Sequence, residues 1–326
     1  MSDSLLTRTA LAIPASKIVQ FGWAAIATGL TTTGWIIVIT TPAIAQIVPD
    51  QTLGDESSVV TPDQWGEWSG DRIDGGAIRG SALFHSFEAF NIEAGRAAYF
   101  TNPEGIGTIL NRVTGQNRSD IFGRLGVLGN ADLFLLNPNG IVFGPDASLD
   151  VAGSFVATTA DRFTFADGQF FSAVDPEAPP LLTMNLTAPG LQYGAGRSGS
   201  IINAANLTVN PDRNITLTGE TVVNTGSVTA PGGEVAIAAI TDNTHIQLGD
   251  HGQVQEITSL ADLHPPTDLT QQPISAPPPQ TIPEMVASTE TDLGLVITDG
   301  GAVAIAATGT PIPTEPGDMI MAGTLN

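Results

Sequence analysis

The stretch Gly232-Gly-Glu-Val-Ala-Ile-Ala-Ala239 returns as Gly300-Gly-Ala-Val-Ala-Ile-Ala-Ala307, with seven of eight positions identical at a spacing of 300 − 232 = 68 residues. Each copy is an apolar segment of strand length that follows a Gly-Gly turn. A returning strand-sized unit is typical of solenoids, in which each coil buries its apolar face against its neighbours. The repeat therefore predicts stacked coils.

A shorter phrase, Gly followed by Ser or Thr and an aliphatic residue, occurs three times: Gly199-Ser-Ile201, Gly226-Ser-Val228 and Gly323-Thr-Leu325. Short alternating segments lie around it, with frequent Gly and Asn turns and almost no helical periodicity. These features predict an all-β protein, a right-handed parallel β-helix with an N-terminal aromatic-rich cap and short hairpins. A β-sandwich is the competing fold, but it gives no reason for the returning phrases.

Aromatic residues mark the predicted cap. Apart from three in the first 45 residues, every Phe, Trp and Tyr lies between Trp65 and Tyr193. Bulky side chains can cover the end of a solenoid, where the apolar interior would otherwise meet water. We therefore expect the aromatic-rich part first, followed by coils of small and β-branched residues.

Composition excludes several functions. The chain has 326 residues, no cysteine and a formal net charge of −22. Without cysteine there are no disulfides, thiolate nucleophiles or Cys-based zinc sites. A strongly negative protein repels nucleic acid, which is therefore not expected as a partner.

Residues 1–45 have the pattern of a signal peptide. Two basic residues precede an apolar run over residues 18–39, and Ala43 and Ala45 then supply the small-x-small pattern that signal peptidase cuts. The run is also close to the roughly 20 residues that span a bilayer. A membrane-anchored surface scaffold protein that keeps residues 1–45 therefore remains an alternative.

The rest of the chain divides by composition. Residues 46–250 carry most of the strand-like segments, and residues 251–290 are rich in proline, which cannot sustain a central strand ladder. We expect a Pro-rich loop or linker there. Residues 291–326 contain the second Gly-Gly copy, so they predict further β-helix coil sequence, with a truncated final coil.

Asn137, Pro138, Asn139, Gly140 and Ile141 lie inside the apolar run at residues 133–144. Proline fixes φ at the second position of a turn, and Asn and Gly favour the last two positions. The block therefore predicts two short strands joined as a hairpin. On turn chemistry alone, its role is limited to folding.

Ordered motifs around this block are similar to one family. Asn111-Arg-Val-Thr-Gly115 precedes the block, and Ala147-Ser-Leu-Asp-Val151 and Ser154-Phe-Val-Ala-Thr158 follow it. Together they resemble the N-terminal secretion domain of filamentous haemagglutinins, the exported partners of two-partner secretion systems in Gram-negative bacteria. The run Leu83-Phe-His-Ser-Phe-Glu-Ala-Phe90, followed by Tyr99-Phe-Thr-Asn-Pro-Glu-Gly-Ile106, resembles the cyanobacterial branch.

The resemblance implies that residues 46–250 are the two-partner secretion domain of an adhesin-like exoprotein. A partner outer-membrane β-barrel transporter would recognise the chain in the periplasm, and the chain would then fold as a β-helix outside the cell. A cell-surface or carbohydrate receptor would be bound through repeats downstream of this sequence.

The family's motifs fall on individual residues of this chain. The Asn-Pro-Asn-Gly-Ile motif falls on residues 137–141, and the Asn-Arg-x-x-Gly element falls on Asn111, Arg112 and Gly115. These residues either stabilise the fold or contact the transporter, and both roles stay open at the level of sequence.

Catalytic motifs are weak. The chain has four histidines and no Gly-x-Ser-x-Gly elbow, and His245, His251 and His264 lack the spacing of helical metal ligands. No metal and no cofactor are expected. A polysaccharide-active β-helix enzyme stays an alternative, because such folds carry paired carboxylates on outer strands.

Overall fold

The computed structural model describes residues 47–177, 189–194, 199–259, 279–298 and 301–326. The predicted signal peptide, with Ala43 and Ala45, lies outside these ranges, and so does the middle of the predicted Pro-rich linker. No helix within the described ranges is long and apolar enough to cross a membrane.

Strands supply nearly all of the regular structure. The first fourteen are β1 (Ile47–Pro49), β2 (Ser58–Trp65), β3 (Trp68–Gly75), β4 (Ala77–Arg79), β5 (Ala82–Phe90), β6 (Arg96–Thr101), β7 (Thr108–Val113), β8 (Ser119–Ile121), β9 (Arg124–Leu128), β10 (Asp132–Leu136), β11 (Ile141–Phe143), β12 (Ser148–Asp150), β13 (Phe155–Thr158) and β14 (Arg162–Thr164).

The later elements include one α-helix. They are β15 (Phe170–Ser172), β16 (Gly190–Tyr193), β17 (Ile201–Asn203), β18 (Asn206–Thr208), β19 (Ile215–Gly219), β20 (Val222–Asn224), β21 (Ser227–Thr229), β22 (Val235–Ala239), β23 (Thr244–Leu248), β24 (Val254–Ser259), α1 (Ile282–Ala287), β25 (Leu295–Ile297), β26 (Val303–Ile305), β27 (Met319–Met321) and β28 (Thr324–Leu325).

Three sheets form the walls of a β-helix. Sheet A has the order β1-β5-β7-β10-β13-β19-β22, sheet B the order β2-β3-β6-β9-β12, and sheet C the order β8-β11-β17-β20-β27. A smaller sheet, β18-β21-β28, follows sheet B, with β12 in contact with β18. One coil passes through β10, β11 and β12 and returns to sheet A as β13, which pairs with β10 in parallel. The predicted parallel β-helix is confirmed.

Side chains alternate between the interior and the outside of the coils. In β7, Ile109 and Val113 belong to the interior cluster, whereas Leu110 joins a second cluster outside sheet A. Pairing in register places Ile109 beside Leu133, and Leu133 beside Phe155. Each such fully buried side chain contributes roughly 1.5–3 kcal/mol to folding.

Aromatic rings and antiparallel strands lie at the N-terminal end. β1 pairs antiparallel with β5, and β2 pairs antiparallel with β3. The rings of Phe87, Phe90 and Phe100 pack with centroids 5.1–6.3 Å apart. They cover the interior of the first coils, as predicted for the cap.

A second layer covers the outer side of sheet A. It is an antiparallel sheet, sheet D, with the order β15-β14-β16-β23-β24. Phe84 and Phe134 leave sheet A on its outer side and meet Phe171 and Phe163 at centroid distances of 5.0 and 6.0 Å. The aromatic residues therefore serve this layer as well as the cap.

Another layer covers the outer side of sheet C. It consists of α1 and the antiparallel pair β25 and β26. Ile282 and Met285 of α1 are buried in one apolar cluster with Val142 and Val223 of sheet C.

The prediction of a hairpin at residues 133–144 is wrong. β10 lies in sheet A between β7 and β13, while β11 lies in sheet C between β8 and β17. All residues of both strands are buried. Each strand finds parallel partners in the coils on either side, so the two do not pair with each other.

The two Gly-Gly copies have different structures. In the first copy, β22 pairs parallel with β19. In the second copy, β26 pairs antiparallel with β25 and is not a coil strand. Two of the three copies of the shorter phrase do stack, because Ser227 pairs with Thr324 in β21 and β28. The third copy, at residues 199–201, leads into β17 of sheet C instead.

The range 251–290, predicted as a loop or linker, contains regular structure at both ends. β24 lies near its start and α1 lies near its end. β24 extends sheet D, whereas α1 packs on sheet C.

Candidate recognition corner

Residues 137–141, here called the corner, turn the chain from β10 of sheet A into β11 of sheet C. All five residues are buried. The sequence motif with the clearest family resemblance therefore lies at one edge of the β-helix, between two of its walls.

Asn137 ties the corner to the preceding coil. Its Nδ2 atom donates to the carbonyl oxygen of Asn117 at 3.1 Å and to Oγ of Ser119 at 3.0 Å. Its Oδ1 atom accepts from the backbone N and from Nδ2 of Asn139, at 2.9 and 3.1 Å. The side chain is 0% exposed. Its amide is fully satisfied inside the protein.

Asn139 reaches the same preceding coil. Its Nδ2 atom donates to the carbonyl oxygen of Gly115 at 2.8 Å. A Cβ atom at Gly115 would lie 2.0 Å from the carbonyl oxygen of Glu88, so only glycine fits there. Successive corners thus lie close together along the β-helix, with Gly115 between Glu88 and Asn139.

The backbone of the corner bonds to the following coil. The amide of Gly199 donates to the carbonyl oxygen of Pro138 at 2.7 Å, and the amide of Ile141 donates to that of Ser200 at 3.0 Å. Gly140 has a φ of +116°, which other residues rarely adopt. The side chain of Ile141 lies in the interior cluster.

The Asn-Arg-x-x-Gly element does not act as one group. Asn111 faces the interior, and its Nδ2 atom donates to the carbonyl oxygen of Phe134 at 2.8 Å. Arg112 leaves the opposite side of β7 and lies beneath sheet D. Gly115 joins the corner. The eight residues singled out from sequence therefore divide between the corner, the interior and the layer outside sheet A.

Arg112 connects three parts of the fold. Its Nη1 atom donates to the carbonyl oxygen of Ser172 at 2.6 Å, Nη2 donates to Oγ1 of Thr52 at 2.7 Å, and Nε donates to Oγ of Ser86 at 2.8 Å. The guanidinium lies 4.1 Å from the ring centroid of Phe171. Burial lowers the pKa of Arg112 to about 10, so the group stays protonated at neutral pH.

Asp50 is the acidic member of the same network. It accepts hydrogen bonds from Oγ of Ser86 and Oγ1 of Thr114, both at 2.6 Å. Burial by itself raises the pKa of Asp50, but hydrogen bonds from Ser86, Thr114 and Thr52 outweigh burial and lower the pKa below its usual value. Ser86 bridges Arg112 and Asp50.

This arrangement has a structural role. The side-chain amides of Asn137 and Asn139 and the guanidinium of Arg112 donate hydrogen bonds to other groups of the protein. Within the described ranges, no three His, Asp or Glu side chains lie close enough together to hold a metal ion.

The sequence profile of the TPS secretion domain family matches residues 45–261, which is 217 of 326 residues. The chain belongs to the TPS secretion domain family. TPS secretion domains belong to haemagglutinin-like exported proteins. The resemblance to the filamentous haemagglutinin secretion domain is confirmed, while the cyanobacterial branch stays a prediction.

Individual similar proteins include the heme/hemopexin-binding protein of Haemophilus influenzae. It is 39% identical to this TPS secretion domain over 75 residues, which is 23% of this chain and 8% of that protein. The HMW1 secretion domain from Haemophilus influenzae has a TM-score of 0.43 and 23% identity, over 62% of this chain and 46% of that one. The filamentous hemagglutinin secretion domain has a TM-score of 0.40 and 19% identity, over 65% and 68% of the two chains.

Sequence reasoning missed the partners that complete the corner of this TPS secretion domain. Asn117 contributes a carbonyl oxygen, which leaves no mark in a sequence. Ser119 contributes a hydroxyl, and the amide of Gly199 bonds to Pro138. Only Gly199 carried a signal, because it begins one of the Gly-Ser phrases.

Proposed function

We propose that this chain is the secretion domain of an adhesin-like exoprotein and that a partner outer-membrane β-barrel transporter recognises it through the corner. A signal peptide cleaved after Ala45 would bring it across the inner membrane. The chain would then pass the outer membrane and fold as a β-helix outside the cell. The family match supports the class of function.

The burial of the corner supports the proposal that the transporter binds the motif before the chain folds. Asn137 is 0% exposed and Asn139 is 4% exposed in the folded protein. A transporter cannot reach these amides without breaking their internal hydrogen bonds. We therefore infer that the transporter recognises the motif in the periplasm before the coils have formed.

The same hydrogen bonds give the motif its second role. Once the chain is outside, Asn137 and Asn139 bond to the preceding coil, and Pro138 and Ile141 bond to the following one. Coils of a solenoid interact mainly with their nearest neighbours, so folding propagates from a formed end. The motif thus serves transporter contact first and coil stacking afterwards.

Charge fits this route. The formal net charge of −22 keeps an unfolded chain soluble and repels nucleic acid. The lack of cysteine means that no disulfide closes a loop before passage through the transporter.

Export measured in cells tests the proposal. The double variant Asn137→Ala, Asn139→Ala is expressed with the cognate transporter, and the chain is quantified in the periplasm and the medium. We expect the variant to accumulate in the periplasm. Normal export would contradict a recognition role.

A matched control separates recognition from folding. Asn203 and Asn224 form another buried amide pair, with Nδ2 of Asn203 donating to Oδ1 of Asn224 at 2.7 Å, and they lie at the ends of β17 and β20 that are farther from the corner. The variant Asn203→Ala, Asn224→Ala should lose comparable stability and still be exported. Equal retention of both variants would show that stability alone governs export.

A further inference from the structure

Residues 280–289, here called the cover segment, lie against the corner. The segment contains α1, in which Met285 is 0% exposed and Ile282 is 1% exposed. The Cε atom of Met285 would lie 3.3 Å from a Cβ atom placed on Gly140. The same methionine packs with Val142, just after the corner. The cover segment therefore contacts the corner directly.

Arg118 fastens the cover segment at several points. Its Nη1 atom donates to Oε1 of Gln280 at 3.0 Å, to the carbonyl oxygen of Met285 at 2.9 Å and to Oγ of Ser288 at 2.9 Å. Its Nη2 atom donates to Oγ1 of Thr289 at 2.6 Å. Arg118 is buried, and such charge-assisted bonds are stronger than neutral ones.

The position of Arg118 links the cover segment to the motif. Arg118 lies between Asn117 and Ser119, and both of these accept hydrogen bonds from Asn137. One short stretch of chain thus contacts the corner on one side and the cover segment on the other. Release of the cover segment would loosen the stretch that receives the Asn137 amide.

The cover segment has its own helix signals. Oε2 of Glu284 accepts from the backbone N and from Oγ1 of Thr281, at 2.8 and 2.9 Å, which begins the helix with a capping box. Arg118 donates near the other end, where a positive charge is favourable. The capping box and the contact with Arg118 therefore both stabilise α1 in its packed position.

The cover segment lies far along the chain from the corner, so the transporter can bind the motif before the cover segment reaches it. The contacts from Arg118 to Gln280 and Thr289 span 162 and 171 positions of the chain. The cover segment also lies outside the range that matches the TPS secretion domain family, residues 45–261. The corner cannot be covered until these later residues are available on the same side of the membrane.

We propose that the cover segment closes over the corner after the transporter has read it, and that this closure prevents the exported protein from binding the transporter again. The inference rests on the proposed function. It adds a regulatory contact that makes export directional.

The first test measures closure without any transporter. In the full chain, Met285→Ser removes the buried contact, and Ala287→Ser introduces the same serine at an exposed position of the same helix. Hydrogen exchange of peptides covering residues 136–144 should become about tenfold faster in Met285→Ser, because local opening is easier, and should stay unchanged in Ala287→Ser. Unchanged exchange in both variants would overturn the proposal.

A second variant guards against a folding defect. Thr289→Val keeps the shape of the side chain and removes the hydroxyl that accepts from Arg118. It should also speed exchange at the corner while leaving peptides of sheet B unaffected. Faster exchange throughout the chain, in both variants, would indicate general destabilisation and would overturn the proposal.

The second test adds the purified transporter with which the chain is exported. Folded wild-type chain should bind it at least about tenfold more weakly than folded Met285→Ser, in line with the opened corner. Urea-unfolded wild-type chain, diluted into the assay, should bind the transporter whether or not closure occurs. If the unfolded wild-type chain binds and folded Met285→Ser binds no more tightly than folded wild-type chain, the closure proposal fails and the proposed function stands. If unfolded wild-type chain does not bind, both fail.

Discussion

The guanidinium of Arg112 donates to the carbonyl oxygen of Ser172 at 2.6 Å across 60 positions of the chain. This contact joins β7 in the wall of the β-helix to β15 in the outer sheet D. Arg112 belongs to an element that resemblance associates with secretion, and its buried contacts give it a clear architectural role. Arg112 therefore holds sheet D against sheet A.

Arg112→Lys should destabilise the protein, because an ammonium cannot reproduce three donors held in a fixed plane. Loss of buried, charge-assisted hydrogen bonds should lower the free energy of unfolding by about 2–4 kcal/mol. Urea denaturation followed by fluorescence measures this. Arg96→Lys, at a partly exposed pair with Asp71, should change it by less than about 1 kcal/mol. Equal effects would contradict the assigned role of Arg112.

Gly140→Ala should destabilise the corner for two reasons. Gly140 has a φ of +116°, and its new Cβ atom would lie 3.0 Å from the carbonyl oxygen of Ser200. We expect a loss of about 2–3 kcal/mol in the free energy of unfolding. Gly105→Ala is the control. Gly105 has a φ of +84°, so alanine there has the same backbone strain, but no atom lies within 4 Å of the added Cβ atom. A smaller loss at Gly140 than at Gly105 would contradict the packed geometry of the corner.

His85 should make the fold sensitive to acid. Its Nδ1 atom lies 2.9 Å from Oγ of Ser58, its ring is buried near Phe100, and burial lowers its pKa to about 3. Between the unfolded pKa of about 6.5 and the folded value, the unfolded chain binds a proton that the folded chain does not. Stability should therefore fall as pH falls through this window, by up to about 1.4 kcal/mol per pH unit from this group.

His85→Asn tests this dependence, because an amide at the Nδ1 position can keep the bond to Ser58 without titrating. The urea midpoint of the variant should depend less steeply on pH between about pH 6 and pH 4 than that of the wild type. Identical slopes would show that His85 does not contribute to acid sensitivity.

Cleavage of the signal peptide should occur after Ala45. Small residues at positions 43 and 45 fit the pocket of signal peptidase. Mass spectrometry of the exported protein should find Gln46 at the new N-terminus. An intact Met1 in a membrane fraction would instead support the membrane-anchored alternative.

The coils could be predicted from sequence, because a solenoid repeats its local chemistry. β21 and β28 share the Gly-Ser or Gly-Thr phrase and lie in register. The outer layers could not be predicted in the same way. β26 has nearly the same sequence as the coil strand β22, yet it pairs antiparallel with β25. The partner of β26 is the strand directly before it in the chain, and the pair packs on the outer side of sheet C instead of extending sheet A.

The motif at residues 137–141 was found from sequence, but its geometry was not. Apolar residues on both sides of a turn suit a hairpin as well as a corner of a β-helix. The distinction depends on β7, β13, β8 and β17, which supply the parallel partners. The packing of the cover segment could not be predicted from sequence, because the segment lies in a Pro-rich range where a linker was expected.

Photo-crosslinking during export tests whether the transporter contacts the corner before the chain folds. Gln116 is exposed and lies between Gly115 and Asn117, whose carbonyl oxygens receive the two amides of the motif. A crosslinker at position 116 should give an adduct with the transporter while the chain is in the periplasm. The same probe at exposed Asn210, away from the corner, should give little. Equal adducts at both positions, or none at position 116, would contradict recognition of the chain through the corner.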